Sequence, residues 1–85
     1  MTSLQQCKEL ADQGDAEAQF KLGMMYENGL GVTKDYAEAY FWYWLSATKP
    51  AMAKVHPLGK RLTEDQIREA HRRAKEWVPT SAPKA

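Results

Sequence analysis

Hydrophobic positions recur every three or four residues along most of the chain, which predicts helices almost throughout. A first apolar stripe, from Leu4 to Ala11, lies in a helix predicted over residues 3–13, with Ser3 as its N-cap. Gly14 favours the left-handed conformation that ends a helix. The chain therefore predicts a turn directly after the first helix.

The second helix is predicted from Asp15, a typical N-cap, to about Asn28. Gly23 lies inside this helix, where glycine costs about 1 kcal/mol relative to alanine. We expect a neighbouring backbone to approach Gly23 so closely that a β-carbon would block it. Two further glycines, Gly29 and Gly31, then break the helix.

The third helix is unusually apolar. Asp35 is its predicted N-cap, and the helix runs from Tyr36 to about Ala47, ending before Lys49-Pro50. Six aromatic residues and a leucine within ten positions cannot share one stripe. A helix that is apolar nearly all round must be covered on more than one face.

The second half of the chain contains an irregular segment and a clear last helix. Over residues 48–62 we expect a short helix from about Ala51, with a kink or break near His56, because Pro57 and Gly59 disfavour a longer one. A capping helix is predicted over residues 64–77. Thr63 and Gln66 form its capping box. Its narrow inward stripe consists of Ile67, Ala70, Ala74 and Trp77. Residues 79–85 resemble a flexible tail.

The pattern as a whole predicts an all-α domain of four to five helices over residues 1–78. A domain within an 85-residue chain has a thin core. The single cysteine, Cys7, excludes an internal disulfide framework and a zinc site built on paired thiolates. No apolar run approaches the roughly 18 residues of a membrane span, and the first ten residues are too polar for a signal peptide. We expect a cytoplasmic protein without membrane contact.

Candidate catalytic and metal-binding residues are few. Cys7, His56 and His71 show no paired ligand spacing, and His71 is interpreted as a boundary or surface residue. The serines lack the flanking glycines of a nucleophile elbow. We therefore expect no metal, no cofactor and no enzymatic activity.

Charge is divided between the two halves of the chain. Residues 1–48 carry three Lys or Arg against seven Asp or Glu, and residues 49–85 carry nine against four. Arg61, Arg68, Arg72 and Lys75 can form a basic face that meets nucleic-acid phosphates. Pairs such as Glu64–Arg68 and Glu69–Arg73 would neutralise this face. With a pI near 7.9, the chain also lacks the strongly basic balance of such binders.

Residues 11–47 resemble one full Sel1-like repeat, a relative of the tetratricopeptide repeat, with the full repeat over residues 15–47. The spacing of the small residues and the Gly-x-Gly-Val turn carry this resemblance. The matching residues are Ala11, Gly14, Asp15, Ala16, Ala18, Gln19, Leu22, Gly23, Tyr26, Gly29, Gly31, Val32, Asp35, Ala39, Trp42, Tyr43 and Ala47. The first helix resembles the second half of a truncated preceding repeat, and the last helix resembles one that closes such arrays.

The resemblance implies antiparallel helix hairpins from a tetratricopeptide-like α/α superhelix, and binding of proteins rather than catalysis. Its structural repeat positions would be Gly14, Ala18, Leu22, Gly23, Tyr26, Gly29, Gly31, Asp35, Ala39, Trp42 and Tyr43. The chain departs from the repeat pattern at Phe41, Trp44 and Leu45, where polar residues are common. Those three residues must be covered by the segment that follows and the capping helix, or by a second molecule.

We predict a protein-interaction module of the scaffold or adaptor type. Tyr40, Phe41 and Trp44 are its expected exposed aromatic contacts, because rigid aromatics dominate protein–protein hot spots. Arg68 and Arg72 would add charge specificity. The partner is another protein or a second copy, since a homodimer would complete the open stack. The alternative is a small inhibitor or immunity-type protein that blocks one partner. Such roles occur among bacterial proteins that resemble this family. Nucleic-acid binding through the last helix ranks below both.

Overall fold

The computed structural model describes residues 4–79, and these form five α-helices without a β-strand. The helices are α1 (Leu4–Asp12), α2 (Ala16–Asn28), α3 (Tyr36–Ser46), α4 (Lys49–Gly59) and α5 (Glu64–Glu76). The predicted all-α class is confirmed. The predicted N-cap Ser3 and tail residues 80–85 lie outside the described residues.

The helix boundaries in the first half follow from caps visible in the sequence. The Asp15 carboxylate accepts a hydrogen bond of 3.0 Å from the Ala18 amide, and the Asp35 carboxylate accepts one of 3.1 Å from Glu38. Each satisfies an amide that the first helical turn would leave unpaired. Gly29 ends α2 in the left-handed conformation, at a φ of 68°.

The α2–α3 seam, built on Leu22, Gly23 and Tyr43, joins the two helices of an antiparallel hairpin. Leu22 and Tyr43 are fully buried. A β-carbon on Gly23 would lie 2.7 Å from two carbons of the Tyr43 ring. Close approach at Gly23 is thus present, but the neighbour is an aromatic side chain and not the expected backbone. The absence of a β-carbon lets the ring lie directly against α2.

Polar contacts fix the ends of the same hairpin. The Tyr43 hydroxyl donates to Glu27 Oε1 at 2.6 Å, and the Ser46 hydroxyl donates to the Ala16 carbonyl at 2.9 Å. Burial and the Glu27 carboxylate raise the pKa of Tyr43 far above its ordinary value. The phenol therefore stays protonated and keeps donating.

Helix α3 lies at the centre of the molecule, and α2, α4 and α5 all pack against it. This explains why its sequence is apolar nearly all round, since three helices cover three of its faces. Helices α4 and α5 pack on α3 rather than extensively on each other.

Helix α4 differs from the sequence prediction. An irregular segment with a kink or break near His56 was expected, but α4 runs uninterrupted from Lys49 to Gly59. Thr48 caps it, and Pro50 lies in the first turn, where a proline displaces no helical hydrogen bond. Pro57 lies in the last turn, where little helix remains to be disrupted. Lys49-Pro50 therefore begins α4, while α3 ends at Ser46 with Ala47 in the left-handed conformation.

Helix α5 begins with the predicted capping box. The Thr63 hydroxyl accepts from the Gln66 amide at 3.1 Å, and the Gln66 side chain accepts from the Thr63 amide at 2.9 Å. Ala70 is its buried residue, and Ile67, Ala74 and Trp77 pack beside it against the core. The predicted inward stripe of α5 is thus confirmed.

Candidate functional site

An open groove of about 420 Å³ lies where α4 and α5 leave part of α3 uncovered. We call it the α4–α5 groove. Its floor and walls are mainly aromatic and aliphatic, with two basic side chains at the edge. The lining residues are Tyr40, Trp44, Met52, Val55, His56, Gly59, Lys60 and Ile67.

Trp44 is the most prominent side chain of the groove. It is 40% exposed, although it belongs to the central helix. Its ring stacks on Tyr40, with centroids 6.3 Å apart and planes inclined by 6°. On the α5 side its centroid lies 4.3 Å from that of the His71 ring. Two neighbouring rings therefore hold Trp44 in place while a large part of its surface remains open.

Tyr40 and His71 join α3 to α5 at the inner side of the groove. The Tyr40 hydroxyl and His71 Nε2 form a hydrogen bond of 2.8 Å. Burial raises the pKa of Tyr40, so its phenol is neutral at ordinary pH. Because this bond connects residues 31 positions apart, it fixes how α5 lies against α3.

A second contact joins α3 and α5 through residues that do not line the groove. The Arg73 guanidinium donates to both carboxylate oxygens of Glu38, at 2.9 and 3.1 Å. It also lies 4.0 Å above the centre of the Phe41 ring. The Glu38 carboxylate raises the pKa of Arg73 and secures its charge. A bidentate ion pair thus covers an aromatic ring.

The three predicted aromatic contacts differ in the exposed fraction of their side chains. Trp44 is exposed, as expected, but Tyr40 is 5% exposed and Phe41 is 2% exposed. The expectation that all three are exposed is therefore wrong for Tyr40 and Phe41. Helix α5 accounts for the difference, because Arg73 covers Phe41 and His71 covers part of Tyr40. Phe41 and the half-buried Leu45 are covered within the chain.

The two predicted arginine contacts lie on the exposed surface of α5. Arg72 is held by two carboxylates of its own helix, Glu69 and Glu76. Arg68 pairs with Asp65 at 3.5 Å. The partners differ from the predicted pairs Glu64–Arg68 and Glu69–Arg73, but both arginines again pair with acidic side chains of α5.

The titration of one of these carboxylates reflects its ion pair. The hydrogen bond from Arg72 is the main cause that lowers the pKa of Glu69. Because the pair is exposed, it contributes little to stability. It does reduce the charge that α5 could offer to phosphates.

The predicted repeat positions of the hairpin lie in its seam, its turns and its buried interior. Leu22, Gly23 and Tyr43 form the seam described above, and Asp35 caps α3. Gly14, Gly29 and Gly31 have positive φ angles. Ala18, Ala39 and Trp42 are buried, and Tyr26 is half-buried.

Several groove residues had no predicted role. Met52 and His56 on α4 were hidden by the irregular segment expected there, and His71 was interpreted as a boundary residue. The four-residue spacing of Met52 and His56 was the signal that could have placed both on one face of a helix. Ile67 was predicted to face inward, but its position beside α4 depends on how α5 packs, which no local pattern reveals.

Residues 4–79 contain no cluster of three His, Cys, Asp or Glu side chains able to hold a metal ion. None of the helices in this range is long and apolar enough to cross a membrane.

The described residues thus form an all-α fold, with one antiparallel hairpin and two further helices against its second arm. The family model of the Sel1 repeat matches residues 16–49, which span α2, α3 and the first residue of α4. This match confirms the Sel1-like resemblance inferred from residues 11–47. Sel1 repeats are generally protein–protein interaction modules and typically non-enzymatic. A search of curated proteins found no match to the chain.

Proposed function

We propose that this chain is a non-enzymatic adaptor module that binds a partner protein in the α4–α5 groove. The Sel1-repeat match supports the general role, since such repeats bind proteins. The groove adds a place for binding that the repeat alone does not specify, because it lies between the hairpin and the two helices that follow.

The observation that carries the proposal is the exposed indole of Trp44 at the edge of an apolar groove. Tryptophan is enriched among residues that dominate binding energy, particularly where it lies beside a pocket that a partner can fill. Trp44 is 40% exposed, whereas every other aromatic residue of α3 is buried or half-buried. Covering its open surface would remove a large apolar area from water.

The groove residues are also packed against their neighbours in the absence of a partner. Trp44 is fixed by the Tyr40 and His71 rings, and α3 is anchored to α2 through Gly23 and Tyr43. Because these side chains have little freedom to lose, binding would carry a small entropic penalty. Such a surface suits recognition of one protein segment better than chemical turnover.

The test is affinity capture with three forms of the protein, namely wild type, Trp44→Ala and Val78→Ala. Val78 is an apolar residue that is 67% exposed and does not line the groove, so it is the matched control. We expect a protein that wild type and Val78→Ala retain and Trp44→Ala loses. Equal retention by all three forms would contradict a docking role for the groove.

Two further measurements separate the alternatives. If a second copy fills the groove, sedimentation velocity will show a wild-type dimer and a Trp44→Ala monomer. If α5 binds nucleic acid, the mobility of DNA or RNA will shift and Arg68→Glu with Arg72→Glu will abolish the shift. That second outcome would count against the proposal, because neither arginine lines the groove.

A further inference from the structure

We propose that the α4–α5 groove binds a short acidic segment of a partner protein, in which one or two apolar side chains are flanked by carboxylates. This inference rests on the proposed function and adds the chemistry of the partner. It follows from the charge around the groove, which is one-sided although the chain as a whole is nearly neutral.

The groove itself is lined by basic groups and by no acidic one. His56 and Lys60 are its lining residues that can carry a positive charge, and no Asp or Glu contributes to it. The whole of α4, Lys49–Gly59, contains no acidic residue. Lys60 is exposed, and it takes part in none of the ion pairs formed within residues 4–79. Its ammonium group is therefore available to a carboxylate from outside.

Beyond the residues that line the groove, α5 carries further basic side chains. Arg68 and Lys75 lie three residues before and four residues after His71, which places all three on one side of α5. The Arg68–Asp65 pair is long, at 3.5 Å, and both side chains are largely exposed, so it holds Arg68 weakly. Glu64, one turn before Arg68, is the acidic exception, and it lies where the helix dipole favours a carboxylate.

A comparison with the hollow between α1 and α5 shows that this charge is local. That hollow has the same volume, about 420 Å³, and Asp12, Glu38 and Glu76 line it together with Lys8 and Arg73. It is electrostatically mixed, whereas the α4–α5 groove is basic at its edge. An acidic partner would therefore be steered to the groove in preference to the hollow.

The apolar floor selects what lies between the carboxylates. Met52, Val55 and Ile67 provide aliphatic contacts, and Trp44 provides a flat wall. A volume of about 420 Å³ is near the lower end of the range typical of ligand sites, roughly 300–1,000 Å³. This space suits one or two aliphatic or aromatic side chains. The expected ligand is a short segment that inserts those side chains and places an acidic neighbour against Lys60.

The experiment is a selection of phage-displayed random dodecapeptides on the immobilised full chain, after depletion on Trp44→Ala. Enriched sequences are made as synthetic peptides, and their Kd is measured with wild type, Lys60→Glu and Lys54→Glu. Lys54 lies on α4 but lines a different hollow, beside Glu27 and Arg61, so it is the matched charge control. We expect acidic peptides with one or two apolar residues, and Lys60→Glu to raise their Kd about tenfold while Lys54→Glu has little effect. Added salt should also raise the Kd of the acidic peptides for wild type, because it screens the attraction between charges.

The outcomes separate this inference from the proposed function. Enriched peptides that are neutral or basic, with a Kd unchanged in Lys60→Glu, would overturn the acidic partner and leave a docking groove. A wild-type dimer that fills the groove with a second copy would also overturn it. If the selection yields no peptide that distinguishes wild type from Trp44→Ala, that result counts against the groove itself. It would then overturn both the acidic partner and the proposed function.

Discussion

The α2–α3 seam and the α4–α5 groove use the same central helix in opposite ways. At the seam, a glycine lets the Tyr43 ring lie against the neighbouring helix, and the ring is completely buried. At the groove, a β-carbon on Gly59 would lie 3.4 Å from the Tyr40 ring, an ordinary contact distance, and the nearby Trp44 ring is 40% exposed. Interior packing of the first kind stabilises the fold, whereas an unfilled apolar surface of the second kind is typical of binding sites.

This difference corresponds to the repeat pattern. The seam residues lie at positions where the chain follows the Sel1-like pattern, and Trp44 lies where it departs from it. We infer that the repeat positions of α3 maintain the hairpin, while the departure supplies the surface for a partner. The following predictions test this division by comparing matched positions in the two regions.

The largest single loss of stability is expected in Leu22→Ala, which is compared with Trp44→Ala. Leu22 is fully buried, so truncation removes burial and leaves a cavity, and we expect a loss of about 3 kcal/mol in the free energy of unfolding. Trp44→Ala removes a larger side chain but mainly its stacking contacts, and we expect a loss of about 1 kcal/mol. Urea denaturation followed by circular dichroism measures both values. A greater loss in Trp44→Ala would assign Trp44 to the core.

A second contrast of about 2 kcal/mol is expected between Gly23→Ala and Gly59→Ala. The new β-carbon on Gly23 would lie 2.7 Å from the Tyr43 ring, which must shift, and such overpacking costs about 1–3 kcal/mol. On Gly59 the nearest atom is 3.4 Å away, so the better helix propensity of alanine makes the change neutral or slightly stabilising. Thermal denaturation of the two variants checks the order. Equal melting temperatures would show that the seam is not tightly packed at Gly23.

The smallest effect concerns the polar contacts of the seam. Tyr43→Phe removes the hydrogen bond to Glu27, and we expect a loss of about 1–2 kcal/mol at neutral pH. In the folded state the pKa of Tyr43 is raised above the ordinary value of 10.0. The stability that depends on its neutral phenol is therefore fully present below pH 10 and is lost as the pH rises further.

Denaturation midpoints measured between pH 8 and pH 11.5 test this direction. The wild-type midpoint should fall above pH 10, and the fall should be shallower in Tyr43→Phe. A residual dependence is expected because the pKa values of Tyr26 and Tyr40 are also raised by burial. Identical slopes in the two proteins would show that the phenol of Tyr43 ionises freely.

Local signals in the sequence predict much of this fold, because caps and glycine stops act within one helical turn. Asp15, Asp35 and the Thr63–Gln66 capping box each begin a helix as expected. Gly23 indicated a close approach but could not reveal that an aromatic ring makes it. The local rule failed at α4, because a proline in the last turn of a helix is far less disruptive than one in its middle.

The groove was less predictable, because it depends on contacts between residues far apart in sequence. The Arg73–Glu38 pair and the Tyr40–His71 hydrogen bond decide which aromatic residues of α3 are covered. Neither has a periodic signature, so exposure could not be assigned separately to Tyr40, Phe41 and Trp44. The excess of aromatic residues on α3 did indicate that some of their side chains would remain exposed, and Trp44 is exposed.

The most direct test of the central claim is fluorine NMR of protein labelled with 5-fluorotryptophan, with resonances assigned through single Trp→Phe variants. Trp44 is 40% exposed and Trp42 is 5% exposed, so their resonances report on the groove and the interior separately. We predict a large solvent-isotope shift for Trp44 and a small one for Trp42. On titration with a peptide selected as above, the Trp44 resonance should move and lose its solvent sensitivity, while that of Trp42 stays. A Trp44 resonance that is shielded from solvent in the free monomer, or unmoved by every bound peptide, would contradict the account.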